Sequence, residues 1–171
     1  MITISKKIRN IADFPKKGIL FRDITPLLQD ATSFKEAIDL LVGHYQDRKV
    51  DQVVSAEARG FILGAGIAYR LGVGFVPVRK PGKLPYEVKR MTYELEYGED
   101  SLEIHKDGVN KGDRVLVFDD LLATGGTARA MCQLVQELEG EIVGVCFLIE
   151  LTSLQGREKL KGHDIFSLIK Y

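Results

Sequence analysis

Two adjacent acids and a glycine-containing turn form the strongest chemical signal in the chain. Asp119 and Asp120 follow the apolar run 115–118, and the turn Ala123-Thr124-Gly125-Gly126-Thr127 precedes a segment with helical periodicity. Glycines allow a sharp bend and let backbone amides approach a ligand closely. Successive amides at a helix N-terminus bind phosphate, and the hydroxyls of Thr124 and Thr127 add donors. The turn therefore predicts a phosphate site.

The two aspartates suit another part of the same ligand. Carboxylates repel phosphate, but they accept hydrogen bonds from paired sugar hydroxyls or hold a hydrated Mg²⁺. A phosphate turn beside acceptors for a diol is typical of a ribose 5-phosphate site. The alternative is an ordinary turn with Thr127 as the helix N-cap, and the length of the combined pattern argues against it.

Two cationic segments follow other predicted strands. Arg59, within Glu57-Ala58-Arg59-Gly60, stands at a predicted helix start, where free amides and a guanidinium suit a pyrophosphate. The alternative is a surface cation paired with Glu57. The run 79–83 contains Arg79, Lys80 and Lys83 after the next strand, and this position favours a polyanion site over a solvated charge run.

The elements that would position these residues alternate along the chain. Apolar runs predict strands over 52–56, 74–79, 115–118, 142–149 and 165–169, and helical periodicity predicts helices over 3–12, 33–46, 60–71 and 127–138. Ser33 and Glu36 fit a capping box for the second helix. Residues 91–97 and 101–105 alternate in period two, which predicts a hairpin. The pattern indicates a mostly parallel sheet with ligands at the carboxyl ends of its strands.

Composition excludes several classes of protein. The chain has 171 residues, 45% of them apolar, which suits one domain with a substantial core. Lys+Arg and Asp+Glu both number 24, so there is no basic excess for a nucleic acid or a membrane surface. No apolar run reaches the ~18 residues that span a bilayer, and the N-terminus lacks a secretory h-region. Together with two unpaired cysteines, Cys132 and Cys146, these features indicate the cytoplasm.

The segment 115–127 resembles the motif with which type I phosphoribosyltransferases bind phosphoribosyl pyrophosphate (PRPP). Within it, the sequence DDLLATGGT resembles that of the adenine-specific members of the family. Similar stretches cover nearly the whole chain: 14–28, 57–61, 78–85, 93–98 and 149–160.

The resemblance implies an α/β type I phosphoribosyltransferase fold, with a central mostly parallel sheet flanked by helices. A single domain would span 1–171, with a small N-terminal hood mainly in 1–30 and a flexible lid hairpin at about 83–105. The implied reaction converts adenine and PRPP to AMP and pyrophosphate in purine salvage. Mg²⁺ would be carried by PRPP without a dedicated protein site, since the three histidines are scattered. The family is usually homodimeric.

The resemblance also assigns roles to residues. It places ribose and the 5-phosphate at Asp119, Asp120, Ala123, Thr124, Gly125, Gly126 and Thr127. It places the pyrophosphate at Glu57, Ala58, Arg59, Arg79, Lys80 and Lys83, with a cis Glu57–Ala58 peptide. Adenine would contact Leu20, Phe21, Arg22 and Leu121. Glu96 would be catalytic, handling the purine proton, with Tyr97 beside it in the lid.

Local patterns leave alternatives to these roles. Glu94 and Glu96 fit the outward face of a strand, and Phe21 by itself would suit the core.

Two other functions are alternatives for the whole chain: a phosphoribosyltransferase for xanthine or orotate, and a PRPP-sensing regulator that binds DNA without catalysis. The hood around Phe21-Arg22 and the sequence LLATGGT favour adenine as the substrate base. The regulator would need a DNA-binding module, for which the chain has no spare N-terminal extension.

Overall fold

The computed structural model describes residues 2–94 and 99–171. The elements, in chain order, are α1 (Ile2–Ser5), β1 (Arg9–Ala12), β2 (Leu20–Asp23), α2 (Thr25–Gln29), α3 (Ala31–Gly43), β3 (Gln52–Ala56), α4 (Arg59–Leu71), β4 (Gly74–Val78), β5 (Val88–Glu94), β6 (Glu99–His105), β7 (Arg114–Leu122), α5 (Gly126–Glu137), β8 (Glu141–Glu150), two 3-10 turns (Thr152–Leu154 and Gly156–Leu160) and β9 (Ile165–Lys170). No helix within the described ranges is long and apolar enough to cross a bilayer.

A parallel sheet of five strands forms the centre of the molecule. Its order is β4-β3-β7-β8-β9, and every neighbouring pair runs parallel. The predicted α/β class with a mostly parallel sheet is thus confirmed. Because β3 lies between β4 and β7, the loops that follow these three strands emerge side by side at the carboxyl edge, where open α/β sheets bind ligands.

Successive residues along the central strands pack into two apolar layers, one on each face of the sheet. Val53 packs with Leu41 of α3 and Ile67 of α4, whereas the next residue, Val54, packs with Leu134 of α5, and all five are fully buried. Helical crossovers cover both faces of a parallel sheet, which is why its strands are apolar at successive positions. Truncating such a residue, as in Leu41→Ala, leaves a cavity and costs about 2–5 kcal/mol.

The N-terminal segment departs from its prediction. Helix α1 ends at Ser5, and Arg9–Ala12 forms strand β1, which pairs antiparallel with β2, so the helix predicted over 3–12 is wrong. Ile4 and Ile8 are buried four residues apart, which produced the helical pattern. Pairing with β2 overrides it, since Arg9 donates two hydrogen bonds, 3.0 and 2.6 Å long, to Asp23.

Helix α3 begins earlier than its predicted cap. Asp30 is the N-cap, and its carboxylate accepts a 2.8 Å hydrogen bond from the amide of Ser33. Ser33 therefore lies in the first turn of the helix and is not its cap, which corrects the predicted capping box. Both residue types favour caps, so local rules did not distinguish them.

The predicted hairpin is present as strands β5 and β6. Their register runs from Val88 opposite His105 to Glu94 opposite Glu99. The hairpin packs on the same face of the sheet as α5, with Leu102 and Ile104 buried in that layer. The connecting residues 95–98 lie outside the described ranges.

Candidate active site

The predicted phosphate turn joins β7 to α5. Strand β7 continues to Leu122 because Asp119 and Leu121 stay paired with β8, so the strand does not stop at residue 118 and both aspartates lie within it. Gly125, with φ of 80°, is the N-cap of α5, which corrects the alternative of a cap at Thr127. A cavity of about 60 Å³ is lined by residues 121–128. The amides of the first helical turn have no intrahelical acceptor and remain available to a ligand.

The acid pair lies next to this turn in a protected setting. Asp119 is half-buried and Asp120 is buried, and the Asp119 carboxylate accepts a 2.9 Å hydrogen bond from the amide of Asp120. Burial raises the pKa of Asp119 well above its usual value, and the charge of Asp120 raises it further. Burial also raises the pKa of Asp120, while the nearby Arg59 opposes the rise.

Arg59 connects the loop after β3 with the end of β7. Its Nη2 atom lies 2.7 Å from Oδ2 of Asp120, and Nη1 donates a 3.3 Å hydrogen bond to the carbonyl of Arg22. The guanidinium carbon also lies 4.9 Å from the centre of the Phe21 ring. Arg59 is therefore paired across the site, and the alternative pairing with Glu57 is wrong.

Glu57 instead organises the cationic loop after β4. It accepts hydrogen bonds of 2.9 and 2.8 Å from Arg79 and one of 2.7 Å from the amide of Lys80. Burial acts to raise the pKa of Glu57, but these bonds outweigh it and the pKa is lowered. The Glu57–Ala58 peptide is cis, as the resemblance implied. Thus Glu57 joins the two loops predicted to bind pyrophosphate.

Like Arg59, two further cations predicted to bind pyrophosphate have carboxylate partners. Arg79 pairs with Glu57, and Lys80 pairs with Asp100 of β6. The pairing with Lys80 lowers the pKa of Asp100 even though burial acts in the opposite direction. Lys83 is exposed at the end of the same loop, where its carbonyl accepts a 3.2 Å hydrogen bond from Arg79.

The predicted adenine residues come from the hood hairpin of β1 and β2 and from β7. Phe21 and Arg22 are half-buried, and Leu20 is 46% exposed, so Phe21 is not a core residue. Phe14 packs edge-on against Phe21 at 5.1 Å, and the Arg22 guanidinium lies 3.7 Å from the Tyr171 ring. Leu121 is half-buried beside the phosphate turn. The contacts of Arg59 bring this hood to the edge of the acid pair.

The lid hairpin reaches the phosphate turn through Tyr93. Its hydroxyl lies 3.3 Å from the hydroxyl of Thr127 and donates a 3.2 Å hydrogen bond to Asp100. Sequence reasoning missed Tyr93 and Asp100, although Tyr93 begins the segment 93–98 that carried part of the resemblance and Asp100 follows that segment closely. Glu96 and Tyr97, predicted as the catalytic acid and its lid neighbour, lie outside the described residues.

The architecture of a parallel sheet with a phosphate turn after its central strand is that of the phosphoribosyltransferases. The family model described as "Phosphoribosyl transferase domain" matches residues 24–169. The adenine phosphoribosyltransferase of Clostridium kluyveri is 57% identical over 170 residues, which is 99% of each chain.

Solved structures of adenine phosphoribosyltransferases are also similar to this chain. The adenine phosphoribosyltransferase of Thermoanaerobacter pseudethanolicus superposes with a TM-score of 0.98 at 59% identity, covering 99% of each chain. The enzyme of Saccharomyces cerevisiae, complexed with D-2,5-dideoxy-2,5-imino-altritol 1,6-bisphosphate and adenine, has a TM-score of 0.92 at 41% identity and covers 98% of this chain and 97% of its own. The chain belongs to the adenine phosphoribosyltransferase family.

Proposed function

We propose that the chain transfers the 5-phosphoribosyl group of PRPP to N9 of adenine, giving AMP and pyrophosphate. The observation that carries this proposal is the convergence of three loops at one sheet edge. The loops after β3 and β4 are joined by Glu57 with Arg79, and the loop after β3 is joined to β7 by Arg59 with Asp120. This edge therefore combines a phosphate turn, an acid pair and cations, as a ribosyl pyrophosphate requires.

The phosphate turn and the acid pair would hold the sugar. The amides of 123–127 and the hydroxyls of Thr124 and Thr127 would bind the 5-phosphate, and Asp119 and Asp120 would accept hydrogen bonds from the ribose diol. Fixing both ends of the ribose orients C1 toward the base. Such orientation converts an encounter into a near-attack geometry and accounts for a large part of the catalysis.

The cationic loops would bind the leaving group. Arg59, Arg79, Lys80 and Lys83, with the backbone of Glu57-Ala58, would neutralise the pyrophosphate. The bond from C1 to the pyrophosphate oxygen breaks, its electron pair leaves with pyrophosphate, and the bond from N9 to C1 forms. Donors aimed at the departing oxygens stabilise the charge that develops in the transition state.

The base would lie between the hood and β7. Phe21 would stack on adenine and Leu121 would close the other face, with Leu20 and Arg22 supplying contacts largely through their backbone. Adenine must lose its N9 proton as the bond forms, and Glu96 is the proposed acceptor beside Tyr97. A closed lid would exclude water, which would otherwise trap the oxocarbenium-like ribosyl cation.

Mg²⁺ would be carried mainly by PRPP oxygens and water. Within residues 2–94 and 99–171 there is no group of three or more His, Cys, Asp or Glu side chains arranged to hold a metal. Asp119 and Asp120 are the oxygen donors that fit a hydrated ion bound to the sugar. When bound, the ion would supply charge neutralisation on the pyrophosphate oxygens.

The direct test is AMP formation from adenine, PRPP and Mg²⁺, run beside hypoxanthine, guanine, xanthine and orotate. Adenine should be the preferred base, and preference for another would overturn the assignment. The double variant Asp119→Asn/Asp120→Asn should lose about a hundredfold or more in kcat/KM for PRPP. The exposed Asp47→Asn variant controls for a general effect of removing charge. Turnover at the normal rate in the double variant would show that the diol site is misassigned.

We also propose a homodimer that acts in the cytoplasm without a nucleic-acid partner. Ile62 and Tyr69 lie seven residues apart on one face of α4 and are 45% and 88% exposed, which suits an interface. Cys132 and Cys146 are buried free thiols, as a reducing compartment favours. The zero net charge gives no support for DNA binding. Sedimentation equilibrium of the wild type and of Tyr69→Asp tests the homodimer. Salt-dependent DNA binding would contradict the proposal that the protein has no nucleic-acid partner.

A further inference from the structure

The segment Gly156–Leu160 has no part in the proposed chemistry, yet it touches the phosphate turn. It belongs to the stretch 149–160 that carried part of the family resemblance. We propose that Gly156 and Arg157 are positioning residues, which hold the phosphate turn in the conformation that binds the 5-phosphate. This inference rests on the proposed function of that turn.

The backbones of Gly156 and the phosphate turn are in direct contact. A Cβ atom added to Gly156 would lie 2.3 Å from the carbonyl oxygen of Ala123 and 3.1 Å from the amide nitrogen of Gly125. Conversely, a Cβ atom on Gly125 would lie 2.4 Å from the carbonyl oxygen of Gly156. Ordinary contacts begin near 3.4 Å, so neither position has room for a side chain. Any displacement of Gly156 is therefore transmitted directly to the turn.

Arg157 fixes the position of Gly156. Its Nε and Nη2 atoms donate hydrogen bonds of 2.6 and 2.7 Å to the two carboxylate oxygens of Glu150. The same guanidinium donates to the carbonyl of Ile165 at 3.1 Å and to the hydroxyl of Ser167 at 3.3 Å. A planar guanidinium with this many partners has one orientation, which a lysine cannot reproduce. The residue after Gly156 is thereby tied to β8 and β9.

The anchor is itself attached to the strand that carries the acids. Glu150 is 4% exposed and ends β8, where it pairs with Leu122, the last residue of β7. The amide of Leu151 donates a 2.9 Å hydrogen bond to the carbonyl of Leu122. At the other end of the segment, Leu160 is 1% exposed within the core layer of α5. The segment is thus held at both ends, and its backbone packs directly against the turn.

Gly156→Ala is the sharpest test, because the new methyl group must push the turn away by about 1 Å, and a misplacement of that size costs about a hundredfold in catalysis. The dissociation constant for AMP and the KM for PRPP should rise by a comparable factor. The KM for adenine at saturating PRPP should stay within about twofold, because the hood is not moved. Gly43→Ala is the matched control, since nothing lies within 4 Å of its added Cβ.

Arg157→Lys provides an independent variant that keeps the charge and is expected to fold. It should weaken AMP binding about five- to tenfold, measured by calorimetry well below the melting temperature. Arg70→Lys, which changes a single exposed ion pair with Asp39, should have no effect.

The outcomes separate the inference from the proposed function. If the wild type neither binds AMP nor consumes PRPP, the proposed function fails. If the wild type binds AMP and both Gly156→Ala and Arg157→Lys bind it equally well, the positioning role is overturned. It is also overturned if the dissociation constant for AMP and the KM for adenine change by the same factor, because a merely structural defect would affect both.

Discussion

The guanidinium of Arg59 lies 2.7 Å from the carboxylate of Asp120, and this ion pair joins the loop after β3 to the strand that carries the acids. The Asp120 side chain is only 9% exposed, whereas that of Arg59 is 33% exposed. Arg59 also contacts the carbonyl of Arg22 and the ring of Phe21 in the hood. One side chain thus links the proposed leaving-group, ribose and base sites.

Arg59→Met should therefore affect both stability and catalysis. Asp120 would be left buried without its partner, which costs about 1–3 kcal/mol in the free energy of unfolding. The kcat/KM for PRPP should fall about a hundredfold, since the variant removes a cation that we propose to face the leaving group. The double variant Arg59→Met/Asp120→Asn should be less destabilised than the sum of the single variants, as urea denaturation would measure. Simple additivity would show that the two side chains are not coupled.

Gly60→Ala should be destabilising because α4 begins in close contact with two strands. The added Cβ would lie 2.6 Å from the Ser55 hydroxyl and 2.9 Å from the Asp119 carboxylate, an overpacking that costs about 1–3 kcal/mol. Ser55→Ala alone should be neutral or stabilising, since the buried Ser55 hydroxyl has no hydrogen-bond partner in the described part of the chain.

Combining the two changes separates packing from chemistry. Ser55→Ala should restore part of the stability of Gly60→Ala, as calorimetry would show. Gly60→Ala should also lower turnover, because its methyl group displaces the Asp119 carboxylate, and Ser55→Ala should not restore turnover, since that contact remains. Full recovery of activity in the double variant would contradict the assignment of Asp119 to the site.

Tyr93→Phe should weaken the connection between the lid and the phosphate turn. The variant removes the hydroxyl near Thr127 and Asp100 and keeps the half-buried ring, so stability should change by about 0.5–1.5 kcal/mol at most. We expect kcat/KM for PRPP to fall by about threefold to tenfold, as one or two hydrogen bonds of this strength allow. Tyr86→Phe changes an exposed tyrosine before β5 and should behave as the wild type. Equal kinetics for the two variants would rule out a role for the Tyr93 hydroxyl.

The hood should be acid-sensitive because of Asp23. Hydrogen bonds from Thr25 and Arg9 lower its pKa from 3.8 to about 2 in the folded protein. Since the folded pKa is lower than the unfolded one, the stabilisation is complete above pH 4 and is lost as pH falls from about 4 to about 2. The loss should be about 1–2 kcal/mol, and Asp23→Asn should remove this part of the pH dependence.

Urea denaturation between pH 6 and pH 2.5 measures this effect. The wild type and the exposed Asp47→Asn variant should lose stability in parallel, whereas Asp23→Asn should show a shallower slope. Parallel slopes for all three proteins would exclude Asp23 as the source of the acid sensitivity.

Elements with continuous apolar runs were predictable from the sequence. Strand β3 occurs at the predicted residues, and α4 begins at Arg59, one residue before its predicted start. Buried parallel strands need apolar residues at every position, so their sequence signal is strong. The phosphate turn was equally readable, because its glycines and threonines are adjacent in the chain.

Contacts between distant residues were not predictable in this way. The pairing of Arg59 with Asp120 spans 61 positions, and a local rule suggested Glu57 as its partner. Strand β1 has a helical pattern that only its pairing with Leu20–Asp23 overrides. The contact of Tyr93 with Thr127 likewise depends on how the hairpin folds over α5. The roles of Glu96 and Tyr97 stay predictions.

Three cations assigned to the leaving group are each held by a carboxylate of the chain itself: Arg59 by Asp120, Arg79 by Glu57 and Lys80 by Asp100. If these cations bind the leaving group as proposed, we expect an incoming polyanion to replace the carboxylates as their partners. A ligand with a single phosphate can displace few of these internal counter-ions, whereas a doubly phosphorylated one competes for all of them together. We therefore expect the site to prefer ligands of higher negative charge, and the three carboxylates to pair with the cations again after pyrophosphate leaves.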